Sequence, residues 1–372
     1  MAYLEEIIIE KIRNEGCLSF HDFMDMCLYY PGYGYYVSAG VKIGMNGDFY
    51  TSPLFTPLYG ELIGKQIEEM WQIMNEPSFT IVEYGGGTGH LCSDILRYLV
   101  KNASLYAGLQ YCIIEKSDPL KELQQQRLGL DKKVSWYPHI TALKGFTGCV
   151  LSNEVVDNFP VHIVVQKEEL MEVMVSSDGK GFSEQLQPAS PELKSYLEAA
   201  GICLSLNYRT EINLDADRWI NDIAKAMDRG YLLIVDYGYT SKEYYHATRN
   251  QGTLQCFYRH NVHDCPYINI GRQDITAHVD FSGLKHAGTK YHMDFSGFAD
   301  QFSFLKGLGI VEEIRKMEDR IKCIPEDQRA GMIKRMQHFL FDMCRKLKVL
   351  LMEKKLNLIP VSGFQFAQQG AL

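Results

Sequence analysis

The sequence predicts an α/β fold built on a parallel sheet covered by helices on both faces, and three features carry that expectation. Short continuous apolar runs at Phe79–Glu83, Tyr111–Glu115, Cys149–Asn153 and Tyr231–Asp236 alternate with helix-like segments. Strands that read apolar throughout belong to sheets buried on both sides. The first run leads at once into a glycine-rich turn, Gly85-Gly86-Gly87-Thr88-Gly89, and then into a helix-like stretch from His90 to Val100. Acids stand at or beside the carboxyl ends of these runs, at Glu83, Glu115, Glu154 and Asp236. That rim is where open α/β sheets bind ligands.

The other elements follow in order. Residues 3–28 read as two short helices; Leu4, Ile7, Ile8 and Ile12 form an apolar stripe on the first. Ser19 is placed to cap the second, with Asp22 in the capping-box position. Residues 31–53, PGYGYYVSAGVKIGMNGDFYTSP, predict a long irregular segment. A loop of that length is functional or disordered, and its four tyrosines and Phe49 argue against disorder. A helix is expected over 57–74, a helix ending near Arg127, a third strand at Val134–Trp136, a hairpin over 161–176, and helices over 191–199 and 216–227. Residues 241–295 are rich in His, Tyr, Asp and Gly and show little periodicity. Helices return at about 297–318 and 327–347, and 348–354 is a candidate last strand. The expected organisation is 1–75 (helices and a covering loop), 76–240 (the core, with an insertion at about 161–215), 241–325 (a second subdomain) and 326–372 (a last helix and strand).

Composition narrows the function. The 372 residues are 46% hydrophobic and 23% charged, which excludes wholesale disorder, collagen and coiled coil. The net charge of −8 disfavours sequence-independent nucleic-acid binding, which needs a basic excess to neutralise phosphates. An acidic balance suits a basic partner, and equally a plain solvated surface. None of the ten cysteines forms a CxxC pair, so a structural zinc site has no support, and free thiols in a reducing compartment are expected. The mixed-charge start does not read as a signal peptide, and no apolar run is long enough to span a membrane. A cytoplasmic location is expected, or the mitochondrial matrix if a transit peptide preceded this numbering.

Three cofactor chemistries compete for the glycine turn. A phosphate-binding P-loop needs GxxxxGK[ST], and no lysine follows here. A dinucleotide turn needs GxGxxG, whereas Gly85, Gly87 and Gly89 bring the third glycine one residue early. An acid at the end of the first strand followed by GxGxG is the pattern of S-adenosylmethionine sites. Glu83 is then placed for the cofactor's ammonium end, directly or through water, and Glu115 for its ribose diol. An acid at Glu115 would serve NAD equally, and a tight turn with no ligand remains the alternative.

Five further segments stand beside that turn: PGYGYY (31–36), GDFYTSP (47–53), NEVVDNFPVH (153–162), IVDYG (234–238) and HDCPYINIGRQDITAHVDFSGL (263–284). With VEYGGGTGHLCSDILR (82–97), they make the chain resemble, over nearly its whole length, the MidA-type S-adenosylmethionine-dependent methyltransferases, which include a mitochondrial assembly methyltransferase of respiratory complex I. The resemblance implies a Rossmann-like seven-stranded methyltransferase core with an added helical and loop subdomain. It also implies S-adenosylmethionine as cofactor and S-adenosylhomocysteine as product. In the mitochondrial member it implies symmetric dimethylation of a protein arginine, and so a protein acceptor here. A small-molecule or other side-chain acceptor, and a non-enzymatic assembly factor with a vestigial fold, remain the alternatives. A homodimer is left open.

A guanidinium is a poor nucleophile while charged, and carboxylates beside it can localise its charge on the far nitrogens. Glu154 and Asp157, following the fourth strand, are the candidates to grip it, and Asn153 could face the cofactor. Asp157 and Asn158 also read as caps of a turn before Pro160. Asp236 reads as a supporting carboxylate or a turn residue, with Tyr237 as a pocket wall. Thr51 and Ser52 carry hydroxyls for the cofactor's carboxylate. Asp274, His278 and Asp280 alternate as on one strand face, as a substrate-side acid/base or a structural network. A metal there is not needed for methyl transfer, and none is expected. His260, His263 and His292 read as surface residues.

Overall fold

The computed structural model describes residues 4–367 and 372, apart from 41, 45, 46, 49, 130, 322–325, 338 and 341–343. The chain divides into two units, each assembled from three stretches: 1–49, 156–220 and 239–287 in the first, and 50–155, 221–238 and 288–372 in the second. This interleaved division differs from the four consecutive blocks expected from sequence.

In the second unit the apolar runs become the strands β1 (Phe79–Tyr84), β2 (Leu109–Ile114), β3 (Val134–Tyr137), β4 (Phe146–Asn153) and β5 (Met227–Tyr239), joined by β6 (Asp294–Asp300) and β7 (Leu347–Lys354). Their spatial order is β6-β7-β5-β4-β1-β2-β3. Strands β5, β4, β1, β2 and β3 run parallel, and β7 runs antiparallel to both β5 and β6. The path goes outward one way through β1, β2 and β3 and the other way through β4 and β5. The β1/β4 boundary is therefore the switch point, where a crevice opens at the strands' carboxyl ends. Tyr231 through Val235 are wholly enclosed, as two-sided burial of a central strand requires.

Helices pack on this sheet through apolar stripes. Pro57–Met74 starts at Thr56, whose hydroxyl accepts from Leu58 N, with proline in its first turn. It places Leu62, Ile63, Ile67 and Met70 in one core with Ile81, Ile95, Tyr111, Leu233 and Leu351. Ser117 caps the helix Asp118–Leu128 through a bond from Leu120 N.

Two helix boundaries differ from expectation. Residues 294–300 form strand β6, and the expected 297–318 helix becomes Gln301–Gly307 and Ile310–Ile321. Pairing with β7 takes Phe298 and Ala299 into the sheet, and tertiary pairing overrides a weak helical pattern. The expected 327–347 helix is described as Glu326–Gln337, with β7 starting at Leu347; residues 338 and 341–343 of that span lie outside the described residues.

The first unit is antiparallel. The expected hairpin forms as His162–Gln166 and Leu170–Ser177, and Phe182–Pro188, Arg209–Ile212 and the short Leu18–Ser19 complete its sheet. Helices Leu4–Glu15 and Phe20–Tyr29 bury Ile8, Ile12, Phe23 and Leu28 in one core with Ile163, Val173, Val175 and Ile275. Ser19 accepts from Asp22 N, as its capping position predicts. Residues 241–295, read as aperiodic, hold a three-stranded sheet of Gln255–Tyr258, Asn261–His263 and Asp274–Thr276, then the helix Phe281–Lys290. Strands of three or four residues are too short to show a period. Among the described residues, no helix is long and apolar enough to cross a membrane.

Candidate active site

The glycine turn leaves β1 in a conformation that side chains resist. Gly85, Gly87 and Gly89 have φ of 61°, 50° and 78°, in the left-handed region open mainly to glycine. Gly89 stands at the start of the helix His90–Leu99, so the turn delivers backbone N–H groups to a helix N-terminus. The turn is tied to its surroundings: Gly85 N donates to Ile114 O at 3.0 Å, and Arg127 Nε to Thr88 O at 2.8 Å.

Two acids flank it. Glu83, only 2% exposed, accepts from Tyr111 Oη at 2.8 Å. Burial pushes its carboxyl up to about 7, against the pull of that hydrogen bond. Glu115 follows β2. Its Oε1 accepts from Ser117 N at 2.9 Å and its Oε2 from Gln124 Nε2 at 2.8 Å. Burial raises its pKa too. A buried carboxylate held near neutrality can bind a cation and be relieved by it, so this donor set fits a cofactor with an ammonium end and a ribose.

A second group gathers beyond β4. Glu154 has φ of 55°, an uncommon backbone state outside glycine and one that clusters at functional sites. Its N–H donates to Val235 O at 2.8 Å, and its Oε1 accepts from Ser52 N at 3.0 Å and Asn153 Nδ2 at 3.1 Å. Burial pushes this carboxyl up to about 7, offset by the Ser52 bond and reinforced by nearby Asp236. Tyr59 Oη donates to Asn153 Oδ1. Asp236 is wholly enclosed; its Oδ2 accepts from Val155 N at 3.1 Å and its Oδ1 from Tyr237 N at 2.8 Å. It braces the Asn153–Val155 turn, in keeping with its reading as a supporting carboxylate. A Cβ at Gly85 would stand 2.9 Å from Val155 Cγ2, so the glycine turn and this turn touch.

Ser52 is wholly enclosed; its Oγ accepts from Gln301 Nε2 at 3.3 Å, and its N–H holds Glu154. Thr51 is half-buried and makes no capping bond to the short helix that follows. Phe49 of the same motif lies outside the described residues.

The remaining candidates belong to the first unit. Asp157 is buried, and its carbonyl accepts from Ala277 N at 2.9 Å. His278 is half-buried with its ring 5.1 Å from that of Tyr239. The continuous strand expected through Asp274, His278 and Asp280 is broken: the strands are Asp274–Thr276 and Val279–Asp280. Asp274 accepts from Tyr36 Oη and Asn158 Nδ2, whereas Asp280 accepts from Ser241 Oγ and from the first N–H groups of the Phe281–Lys290 helix. Asp280 is thus a helix cap, and the single polar face is replaced by two local networks. Sequence reading missed Tyr59, Tyr111 and Gln124. The only signal for Gln124 was its place four residues after Leu120 on the helix's apolar face.

A sheet whose seven-strand main path holds one reversed strand, a switch point between β1 and β4, and a GxGxG turn flanked by two acids define an S-adenosylmethionine-dependent methyltransferase core. A family model described as S-adenosyl-L-methionine-dependent methyltransferase matches residues 62–299. The chain belongs to this family, the MidA-type methyltransferases, and is an S-adenosylmethionine-dependent enzyme. It is 28% identical over 354 residues to the Drosophila melanogaster protein arginine methyltransferase NDUFAF7 homolog, mitochondrial, with 86% of this chain and 77% of that one covered. The Caenorhabditis elegans homolog is 27% identical over 375 residues, covering 93% and 85%. A Burkholderia thailandensis protein crystallised with S-adenosyl-homocysteine superposes with a TM-score of 0.87 at 29% identity, covering 99% of this chain and 96% of that one.

Proposed function

We propose that this methyltransferase acts on the guanidinium of a protein arginine. The observation that most supports this reading is Glu154: a carboxylate held in a left-handed backbone at the switch point and oriented by Ser52 and Asn153. Its remaining lone pairs are the ones offered to a ligand N–H. The NDUFAF7 relatives are named protein arginine methyltransferases, which agrees with a basic acceptor.

In this reading Glu83 takes the cofactor's ammonium group and Glu115 its ribose. Gly85, Gly87 and Gly89 let the backbone approach it, and Thr51 and Asn153 line its amino-acid end. When bound, the cofactor supplies an electrophilic methyl on a sulfonium. Glu154 binds one edge of the guanidinium, concentrates its charge away from the attacking nitrogen and aligns that nitrogen. It also stands ready to receive the proton that the nitrogen gives up on methylation. Activity should rise with pH through about 7 as Glu154 ionises.

Methyl-labelled cofactor incubated with the enzyme and a cell lysate should label protein, and acid hydrolysis should release methylarginine. Glu154→Gln should lower kcat by about a hundredfold or more with little change in cofactor affinity. Label recovered only in methyl esters or small molecules would sink the arginine reading.

A further inference from the structure

Gln124 is wholly enclosed in the helix Asp118–Leu128. Its Nε2 donates to Gly87 O at 3.0 Å and to Glu115 Oε2 at 2.8 Å, and its Oε1 accepts from Trp136 Nε1 at 2.9 Å. These partners dictate the amide's orientation. A carbonyl and a carboxylate offer only acceptors, and an indole N–H only donates, so the NH2 must face the turn and the acid, and the oxygen must face Trp136. Both amide protons are used. The glycine turn also presses on this residue, since a Cβ at Gly86 would stand 3.1 Å from Nε2 and one at Gly89 3.4 Å from its Cα. Glu115, for its part, is pinned at one oxygen by Ser117 N and at the other by Gln124.

We propose that Gln124 is a positioning residue for the cofactor: one amide sets the plane of the Glu115 carboxylate and holds the glycine turn at a matched distance from it. A ribose diol presents two hydroxyls at a set spacing, so it is bound well by a carboxylate whose plane is fixed facing it. Gln124 supplies that constraint from β2's side of the crevice, and Trp136, on β3, locks Gln124. The inference rests on Glu115 taking the ribose.

The test is calorimetric titration of S-adenosylhomocysteine into wild type, Glu115→Ala, Gln124→Met and the double variant. Methionine keeps the length and bulk of the side chain and removes both donors. Each single variant should weaken binding about tenfold, and the double variant should lose far less than the product of the two, because Gln124 acts through Glu115. Full additivity, or no loss in Gln124→Met, overturns the proposal and leaves the reading of Glu115 standing. No loss in Glu115→Ala overturns both. Gln124→Glu gives a readout that simple packing would not move. The carboxyl group introduced by that substitution can donate one bond to Glu115 while protonated and none once ionised. Relative to wild type at the same pH, the variant's affinity should therefore fall as pH rises from about 5.5 to about 8.5, across the range of a buried carboxyl. A pH-independent deficit in Gln124→Glu counts against the proposal. If Gln124→Met does not fold, Trp136→Phe loosens the same amide from its far side and should weaken binding about threefold, and an unchanged affinity there overturns the proposal equally.

Discussion

The two units bury carboxylates by different routes. In the sheet unit, Glu83, Glu115, Glu154 and Asp236 each sit at or just past the end of an apolar strand, and Glu115, Glu154 and Asp236 each accept from at least one backbone N–H, of Ser117, Ser52, and Val155 and Tyr237. In the antiparallel unit, Asp274 is buried and draws its partners from far along the chain. Tyr36 Oη, 238 residues away in sequence, donates at 2.9 Å, and Asn158 Nδ2 donates at 3.2 Å. Tyr29 Oη reaches Asn158 O, and Tyr35 Oη reaches Asp48. The motifs PGYGYY, NEVVDNFP and GRQDITAHVD thus meet on one carboxylate. Both units hold carboxylates from afar, but at Asp274 the distant donors are side chains, whereas at Glu154 and Asp236 they are backbone N–H groups.

The sharpest break between the two should come from a change that touches only the turn. Gly87→Val puts a β-branched residue at φ 50°, a conformation that such residues strongly resist. S-adenosylhomocysteine affinity should drop at least about a hundredfold, by about 3 kcal/mol, while thermal stability falls only modestly. Retained affinity would mean that the turn does not meet the cofactor.

Asp274 tests the other half. Asp274→Ala removes the acceptor that Tyr36 Oη and the Asn158 amide share, and should cost about 3 kcal/mol in urea unfolding. Asp274→Asn keeps the acceptor Oδ1 that both donors use, so it should cost less than about 1 kcal/mol. Equal losses in the two variants would show that packing, not the network, holds this unit together.

The contrast explains what was legible beforehand. The core strands β1, β2, β4 and β5 announced themselves, because a buried parallel strand is apolar along its whole length. The three glycines of the turn fell where left-handed backbone was needed. Gln124, Tyr59 and Tyr111 stayed hidden, because a glutamine or tyrosine in an amphipathic pattern looks the same whether it faces solvent or a carboxylate. Ser52 reads as ligand-facing from its motif, and only the packing shows that it is enclosed, whereas Asp236 already reads as a supporting carboxylate. The strands Gln255–Tyr258 and Asn261–His263 were invisible, since their pairing partners, not their own composition, make them strands, whereas the alternation from Asp274 hinted at the third.

Glu83 links sequence and chemistry through pH. Its carboxyl is pushed up to about 7 by burial, so at about pH 6 it is mostly neutral and attracts an ammonium group poorly. S-adenosylhomocysteine affinity of the wild type should improve by up to about tenfold, or about 1.4 kcal/mol, from about pH 6 to about pH 8. Glu83→Gln should flatten that slope and bind about as weakly as the wild type does at low pH. A slope of the same size in Glu83→Gln would shift the titration to another group.

The smallest effect lies in the antiparallel unit, where His21 stands between Asp22 and Asp215 at 3.0 Å each, its ring stacked 4.8 Å from that of His162. Burial alone would lower its pKa, but the two carboxylates outweigh burial and raise it to about 9. The folded state therefore holds a proton that the unfolded chain releases near about pH 6.5. This cluster contributes stability that is fully present below that pH and is lost as pH rises through about 9. Solvent reaches the cluster, so the contribution should be about 1 kcal/mol. Asp274 slopes the same way in a lower window. Its folded pKa is raised to about 7, so stability declines between about pH 4 and about pH 7 as the unfolded chain ionises first. Urea unfolding across pH separates the two: His21→Gln should remove the decline above about pH 7 and leave the lower one, and Asp274→Asn should leave the upper one and only reduce the lower, which Glu83 and Glu154 share. A single variant that abolished both slopes would mean that the two buried networks of this unit titrate as one.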